Sequence, residues 1–165
     1  MPSTREIAEH YFDCVARQDI DGMIECWRPG SRATFVGMEE LRAPEDYRSW
    51  FGNLFGCFPD FRLEAEEIIA EQDRAAVHWR ATGTFDGQGS FEGFRPNGAT
   101  IDVEGGDLLT LEEGKIVHIT ALLNGLDMAR QLGAVPPKGS FADKAMAGAF
   151  NAKTAAAKKL RELRS

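Results

Sequence analysis

The start of the chain carries apolar residues at helical spacing. Ser3 or Thr4 can cap a helix whose apolar face holds Ile7, Tyr11 and either Cys14 or Val15. A helix of this kind buries one face and leaves the other in solvent. The pattern therefore predicts a first helix packed on a core.

A short helix and a strand are predicted next. Asp19 or Asp21 can open the helix, and Pro29-Gly30 ends it. The segment RATFV at 32–36 is rich in β-branched and aromatic residues, which are typical of strands. The sequence thus predicts the first strand at 32–36.

A third helical segment carries a stripe of large apolar residues. Pro44 lies near its first turn and Pro59 ends it. The residues that recur at spacings of three and four are Tyr47, Trp50, Phe51, Leu54, Phe55 and Phe58. Such a stripe is typical of a helix face in the core, and part of it is also suited to roof a ligand cavity.

From Phe61 onward the hydrophobic period changes to two. In RAAVHWRATGT at 74–84, alternate residues are apolar, and two more strands follow within 99–123, joined by a turn at 112–114. The polar alternate positions predict antiparallel strands with one face solvated or at a subunit contact. Helices followed by such strands predict an α+β fold in which helices cover one face of a curved sheet.

Composition and cysteine content restrict the class of protein. The 165 residues are 43% hydrophobic and 27% charged, which is typical of one globular domain. No apolar run reaches the roughly 20 residues of a membrane span. The start MPSTREIAEHYF has no basic region followed by an apolar block, so we expect no secretory signal. The three cysteines, Cys14, Cys26 and Cys57, lack metal-type spacing, so we expect reduced thiols in a cytoplasmic protein.

Net charge separates the tail from the rest of the chain. The overall charge of -7 argues against nucleic acid as a partner. The segment from Asp143 to the end is instead basic. Its cations are Lys144, Lys153, Lys158, Lys159, Arg161 and Arg164. A solvated helix end is the favoured interpretation, and contact with an anionic partner is the alternative.

Several common kinds of site find no support in the sequence. The only histidines are His10, His78 and His118, and neither a serine triad nor a metal site can be built from them at recognised spacings. The glycine-rich segment 83–98 has neither the spacing nor the following helix of a phosphate loop. We therefore expect no metal and no cofactor, and a flexible rim loop at 83–98.

Two ionisable residues on the predicted strands are candidates for proton transfer. Asp107 shares the parity of apolar neighbours, and an inward carboxyl would have a raised pKa. Alternatively, a bulge at Gly105-Gly106 turns Asp107 outward or supplies backbone donors to it. His118 shares parity with Asn124, and both faces of that strand are apolar enough to be inward. His78 is expected to point outward.

Asn124 ends the last strand and has two possible roles. Asn is a favoured helix cap, and Asp127 follows at the spacing of a capping box. The segment after it continues as a helix and ends at Gly133. A role as helix cap is enough to explain Asn124. The alternative is that its side chain faces a ligand.

Three stretches resemble the SnoaL-like polyketide cyclases of the nuclear-transport-factor-two superfamily. They are CFPDFRLEAEEIIAEQDRAAVHWRATGTFDG (57–87), FEGFRPNGATIDVEGGDLLTLEEGKIV (91–117) and LDMARQLGAV (126–135). The resemblance covers about residues 4–136. It implies a cone-shaped α+β barrel like that of cystatin or ketosteroid isomerase, with N-terminal helices on the concave face of the sheet. The domain is then 1–136, followed by a basic, helical tail at 137–165.

The resemblance also implies a site. The family's acid/base aspartate falls on Asn124, which cannot exchange a proton near neutral pH. Proton transfer would therefore come from His118 or Asp107, with Asn124 orienting a carbonyl or hydroxyl group. The expected apolar wall consists of Tyr11, Trp27, Trp50, Phe55 and Trp79.

Three functions follow from these observations as hypotheses. The first is a cofactor-independent cyclase, isomerase or lyase that acts on a small apolar polyketide- or steroid-like molecule. The second is a non-catalytic ligand-binding or dimerisation module, since fold does not fix function and the usual acid is missing. A third, weaker hypothesis is a scaffold whose basic tail recruits a partner. The expected partners are a small apolar ligand and a second copy of the chain, with neither nucleic acid nor membrane.

Overall fold

The structure, a computed structural model, describes residues 1–163. Its helices are α1 (Thr4–Ala16), α2 (Ile20–Glu25), α3 (Tyr47–Cys57), α4 (Gly125–Gln131) and α5 (Phe141–Glu162). Its strands are β1 (Trp27–Phe35), β2 (Glu39–Ala43), β3 (Arg62–Glu71), β4 (Arg74–Phe85), β5 (Ala99–Glu112) and β6 (Lys115–Leu123). The predicted α+β class is confirmed.

Short polar signals set the helix starts. Ser3 caps α1 in a reciprocal capping box with Glu6, and the Asp19 side chain accepts from a backbone N–H in the first turn of α2. The third helix starts at Tyr47, later than Pro44 had indicated, because residues 44–46 form a turn. In that turn the Asp46 carboxylate accepts from the Arg42 backbone N–H at 2.9 Å.

The six strands form one sheet in the order β2-β1-β6-β5-β4-β3. Every neighbouring pair is antiparallel except β1 and β6, which run parallel. Strand β2 was not predicted, because its alternating charges are typical of an exposed edge rather than of a core strand. The sheet is curved but not closed into a barrel, since β2 and β3 remain edges.

The helices α1 and α3 cover the concave face of the sheet. Along β4, alternation buries Ala75, Val77, Trp79 and Ala81 on this face, as predicted. The stripe of α3 is buried there as well, with Trp50 only partly covered. The apolar core therefore lies between the helices and the sheet, where a cavity can form.

The glycine-rich loop between β4 and β5 is held against the end of α3. Backbone N–H groups of Gly87 and Gln88 donate to the carbonyls of Cys57 and Gly56, at 3.0 and 2.8 Å. A Cβ atom on Gly87 would lie 1.9 Å from the Gly56 carbonyl oxygen, so this approach requires glycine. The loop expected to be a flexible rim thus packs tightly at this end.

The C-terminal part of the chain forms the long helix α5. Arg130 of α4 pairs with Asp143 in its first turn at 3.4 Å. No residue of α5 is buried. Arg164 of the basic tail lies outside the described residues. None of the described helices is long and apolar enough to cross a membrane.

The two serine caps give a test of which helices belong to the cooperative unit. Ser3→Ala removes the capping box of α1 and should lower the free energy of unfolding by about 1 kcal/mol, because α1 packs on the core. Ser140→Ala removes the equivalent cap of α5, whose Ser140 side chain accepts from the Asp143 N–H. We expect it to leave the global denaturant transition unchanged. Equal losses for both variants would show that α5 unfolds together with the domain.

Candidate functional site

A cavity lies between the concave face of the sheet and the helices α1 and α3. Its wall is almost entirely apolar, with one ionisable carboxyl group. The lining side chains come from α1 (Tyr11, Phe12, Val15), from β1 and its following turn (Phe35, Val36, Met38), from α3 (Tyr47, Trp50, Phe51, Leu54), from the sheet (Leu63, Trp79, Ala81, Ile101, Val103, Asp107, Ile119, Ala121, Leu123), and from Phe61, Phe91 and Met128. This is the composition expected of a site for an apolar molecule with few polar groups.

Asp107 projects into this cavity from the middle of β5. Its backbone pairs with Val77 of β4 and Ala121 of β6, and the pairing is continuous through Gly105-Gly106. The bulge considered as an alternative is therefore absent at this position. The side chain is only 8% exposed. Asp107 is thus an inward, buried carboxyl, as the strand parity indicates.

One hydrogen bond to a side chain holds the Asp107 carboxyl group. The indole Nε1–H of Trp79 donates to Oδ1 of Asp107 at 2.9 Å. Burial raises the pKa of Asp107 to about 7, and this hydrogen bond lowers it in part. Both the acid and the carboxylate are therefore accessible near neutral pH, which is the property required of a general acid or base.

Two tyrosines form a second polar group in the same cavity. The hydroxyls of Tyr11 on α1 and Tyr47 on α3 lie 3.1 Å apart and share a hydrogen bond. Burial raises the pKa of both tyrosines far above the usual value, and the nearby charge of Asp107 adds to that effect. Both hydroxyls therefore keep their protons, and the pair has one proton free to donate to a ligand.

An indole nitrogen lies unpaired beside the tyrosines. The ring centroid of Trp27 is 5.2 Å from that of Tyr47, and among residues 1–163 its buried Nε1 has no acceptor at full hydrogen-bond geometry. A buried donor without an acceptor is energetically costly.

The expected apolar wall is only partly in contact with the cavity. Tyr11, Trp50 and Trp79 line it, and Trp50 stacks on Phe35 with ring centroids 4.4 Å apart. Trp27 and Phe55 are buried in the core but are not among the lining residues. They can support the wall from behind, since each packs on a tyrosine or phenylalanine ring that does line it.

The structure places His118 and Asn124 outside the cavity. On β6, Ile119 and Ala121 face inward, so the alternate residues face outward. The His118 Nε2 lies 3.2 Å from the Thr34 hydroxyl, and the Asn124 Oδ1 accepts from the Asp127 backbone N–H at 3.1 Å. Asn124 is thus a helix cap at the surface. Asp107 is the one predicted proton-transfer residue that lies in the cavity.

His78 points outward, between two carboxylates. Its Nδ1 lies 3.4 Å from Glu66 and its Nε2 lies 3.5 Å from Glu104. Within residues 1–163 these three exposed side chains form the one cluster close enough to hold a metal ion. The two carboxylates approach opposite ring nitrogens, whereas a metal ion binds only one of them. The geometry therefore favours a surface contact between the imidazole and two carboxylates over a metal site.

The sequence places Tyr47 in the apolar stripe of α3 but does not predict that its hydroxyl pairs with Tyr11. The chain has two tyrosines, and both lie on helix faces that are otherwise apolar. A hydroxyl on a buried face requires a partner, and two such residues can satisfy each other. That pairing requirement was the available signal, although which helices meet is a property of the tertiary fold.

The sequence and the fold both match known proteins. Residues 8–119 match the family model of the SnoaL-like domain. Among solved structures, AclR from Streptomyces galilaeus, a candidate hydroxylase, superposes with a TM-score of 0.68 at 26% identity, over 80% of this chain and 96% of that one. A candidate SnoaL-like polyketide cyclase from Jannaschia sp. CCS1 gives 0.70 at 27% identity, over 80% and 92% of the two chains.

A more distant structure shares the fold. The epoxide hydrolase/cyclase-like enzyme SalBIII, which has a role in pyran ring formation in the polyether salinomycin, gives a TM-score of 0.61 at 23% identity. The match covers 74% of this chain and 92% of that one. A comparison with curated proteins finds no match.

The ionisation of Asp107 can be measured through stability. A carboxyl whose pKa is higher in the folded chain than in the unfolded chain binds its proton more tightly when folded. Its stabilising contribution is therefore complete below about pH 4 and is lost as the pH rises through about 7. The shift from the ordinary value of 3.8 corresponds to about 4 kcal/mol at most.

We expect Asp107→Asn to be more stable than the wild-type chain at pH 8, with the difference disappearing toward pH 4. Denaturant unfolding of both proteins across this range gives the two curves. Glu104→Gln is the control, because Glu104 lies on the same strand but is exposed. A constant difference between Asp107→Asn and the wild-type chain would mean that the folded pKa of Asp107 is ordinary.

Proposed function

The chain belongs to the SnoaL-like domain family of the NTF2-like superfamily, and we propose that it is an enzyme that moves a proton on a small, largely apolar molecule bearing a carbonyl group. The observation that carries this proposal is a single ionisable carboxyl in an otherwise apolar cavity, with its pKa raised by burial to about 7. A group that titrates near the working pH is the most efficient proton carrier. The reaction needs no cofactor in this scheme.

Asp107 has the chemical role of general base in the first step. As the carboxylate it removes a proton from the carbon next to the carbonyl group. The electron pair of that C–H bond forms a carbon–carbon double bond, and the π pair of the carbonyl group moves onto its oxygen. One carboxyl oxygen is held by Trp79, so the other is the one that takes the proton. In an isomerisation, the resulting acid returns the proton to a different carbon of the same molecule. In a ring closure, the enolate carbon forms a bond to the carbon of a second carbonyl group in the molecule, and the acid gives its proton to the oxygen of that second carbonyl.

The tyrosine pair has the role of stabilising the oxygen on which charge develops. Its free hydroxyl proton can donate to an enolate oxygen, and the apolar wall makes such a hydrogen bond stronger than it would be in water. The hydroxyl stays protonated throughout, because its pKa is raised far beyond the physiological range. A base and a donor within one cavity are the two groups that enolisation requires.

The relatives support the substrate class without fixing the reaction. The names of the similar proteins include a polyketide cyclase, a hydroxylase and an epoxide hydrolase/cyclase-like enzyme. The aromatic wall suits a flat polycyclic molecule of polyketide or steroid type. A ketone of this class is the substrate we propose.

A non-catalytic binding module is the second candidate. The resemblance in sequence implies that the family's acid/base aspartate is replaced by Asn124 here, and Asn124 caps a helix outside the cavity. A chain that kept the cavity but lost turnover would have this arrangement. Ligand binding without product would favour this second function.

Turnover of polycyclic ketones, measured by product formation, separates the two candidates. We expect Asp107→Asn to lower kcat by about 10²–10⁴-fold, the usual contribution of a general base, while the ligand still raises the melting temperature. Tyr47→Phe should also lower kcat, because the hydroxyl that donates to the oxyanion is lost or displaced.

Asn124→Ala serves as the matched control, since it should cost only about 1 kcal/mol of stability through the lost cap and leave kcat unchanged. Full activity in a folded Asp107→Asn protein would refute the enzyme proposal. Binding of the ketones without product in the wild-type chain would favour the binding module.

The outer face of the sheet suggests that two copies associate. A row of uncharged side chains crosses five strands in direct register, and Leu108 at its centre is 53% exposed. The row consists of Ile69, Ala76, Leu108, Thr120 and Thr34. An apolar centre of this kind is typical of an interface between subunits, so we infer a homodimer that buries it.

Leu108→Glu should convert the dimer into a monomer, because it would bury an unpaired charge in the interface. Light scattering after gel filtration gives the mass of each protein. Leu126→Glu is the control, since Leu126 is comparably exposed but lies on α4 rather than on the sheet. A wild-type monomer, or equal behaviour of both variants, would contradict the proposed interface.

A reducing, cytoplasmic location also stays part of the proposal. It is supported by the three cysteines, which are buried and unpaired. Burial raises the pKa of each thiol, which keeps the groups protonated and unreactive.

A further inference from the structure

Gly105 lies directly under the indole ring of Trp79. The two residues face each other across β4 and β5 in register. A Cβ atom on Gly105 would lie 2.4 Å from both Cζ2 and Cη2 of that ring, and 2.6 Å from the carbonyl oxygen of Leu122. Non-bonded carbon and oxygen atoms do not approach a Cβ atom this closely, so any side chain here would displace the indole or the neighbouring strand.

The neighbouring glycine does not share this property. A Cβ atom on Gly106 would meet only the Val77 carbonyl oxygen, at 3.3 Å. Gly105 has no left-handed backbone angle, so its conformation would also accept other residues. The requirement for glycine at 105 is therefore one of space above the strand.

The space above Gly105 determines where the indole nitrogen lies. Asp107 is two residues further along β5, and thus on the same face of the sheet. With its ring over Gly105, Trp79 directs Nε1 to Oδ1 of Asp107 at 2.9 Å. The glycine, the indole and the carboxyl form one connected arrangement.

We propose that Gly105 is a positioning residue for the reaction: its missing side chain lets the indole ring of Trp79 pack directly against the backbone of β5, so that the indole N–H holds one oxygen of Asp107 and leaves the other to the substrate. This inference rests on the proposed role of Asp107 in proton transfer. Its consequence concerns the acid strength of that group. A fixed donor favours the carboxylate, so displacement of the indole should make Asp107 a weaker acid.

The experiment measures the titration of Asp107 directly, by carboxyl carbon NMR of chains labelled at aspartate. Resonance assignment comes from Asp107→Asn. We expect Gly105→Ala and Trp79→Phe each to move the midpoint upward by at least about one pH unit, the cost of a lost hydrogen bond to a charged group. Gly106→Ala is the matched control, and its midpoint should equal that of the wild-type chain.

The double variant Gly105→Ala/Trp79→Phe should titrate like Trp79→Phe alone, because the phenyl ring has no N–H to displace. An additive shift, or a wild-type midpoint in Gly105→Ala, would overturn the proposal. The NMR titration uses no substrate, so its result does not depend on whether the protein is an enzyme. The proposed function is decided separately, by the turnover of Asp107→Asn. In the enzyme, the pH at half-maximal kcat should shift with the same variants.

Stability supplies a second measurement if Gly105→Ala folds poorly. Gly105→Ala should lower the free energy of unfolding, measured with denaturant, by less in the Trp79→Phe background than in the wild-type background, since part of the clash is with the indole ring. An equal loss in both backgrounds, including failure of both to fold, would mean that Gly105 makes room only for the Leu122 carbonyl. That outcome would also overturn the proposal.

Discussion

The carboxyl of Asp107, buried at the centre of a curved sheet, is the constraint around which the rest of the site is arranged. An isolated carboxylate in an apolar cavity is energetically unfavourable, and one indole hydrogen bond offsets only part of that cost. The sheet tolerates this burial because β4, β5 and β6 pair without interruption on both sides of the residue. Stability is thus given up at the one point where the proposed function requires a group that titrates near neutral pH.

The two helices on the concave face provide the complementary part of the site. Each brings one tyrosine, and the hydroxyls satisfy each other where the apolar faces of α1 and α3 converge. A single hydroxyl in that position would be left without a partner, at a cost comparable to a lost hydrogen bond. The two tyrosine rings therefore pack in the core while their hydroxyls form a polar group. Because both residues lie on helices, the hydrogen-bond donor is held in a fixed position.

Local patterns in the sequence predicted most of the fold and only part of the site. Alternation on β4 and β5 placed Trp79 and Asp107 on the inner face, because strand parity is a local property. His118 could not be placed in this way, since both faces of β6 are apolar, and only the pairing of β6 with β1 puts it beside Thr34. The local pattern of Asn124 predicted its cap. Its expected role toward a ligand depended on its position relative to the cavity, which is a tertiary feature. The closeness of Tyr11 and Tyr47 is likewise set by how α1 and α3 pack.

The parallel pairing of β1 with β6 has a consequence for how the chain reaches this state. Thr34 and His118, which meet across that pair, are separated by 84 positions in sequence. While the ribosome extends the chain, β1 and β2 can form a hairpin early, but the inner edge of β1 stays unpaired until β6 has emerged. Loop-closure entropy makes such distant pairing slow. Until β6 is available, β1 therefore has an unpaired edge, and unpaired strand edges are sites at which nascent chains aggregate. The charges that alternate along β2, on the opposite edge of that hairpin, limit such association on one side only.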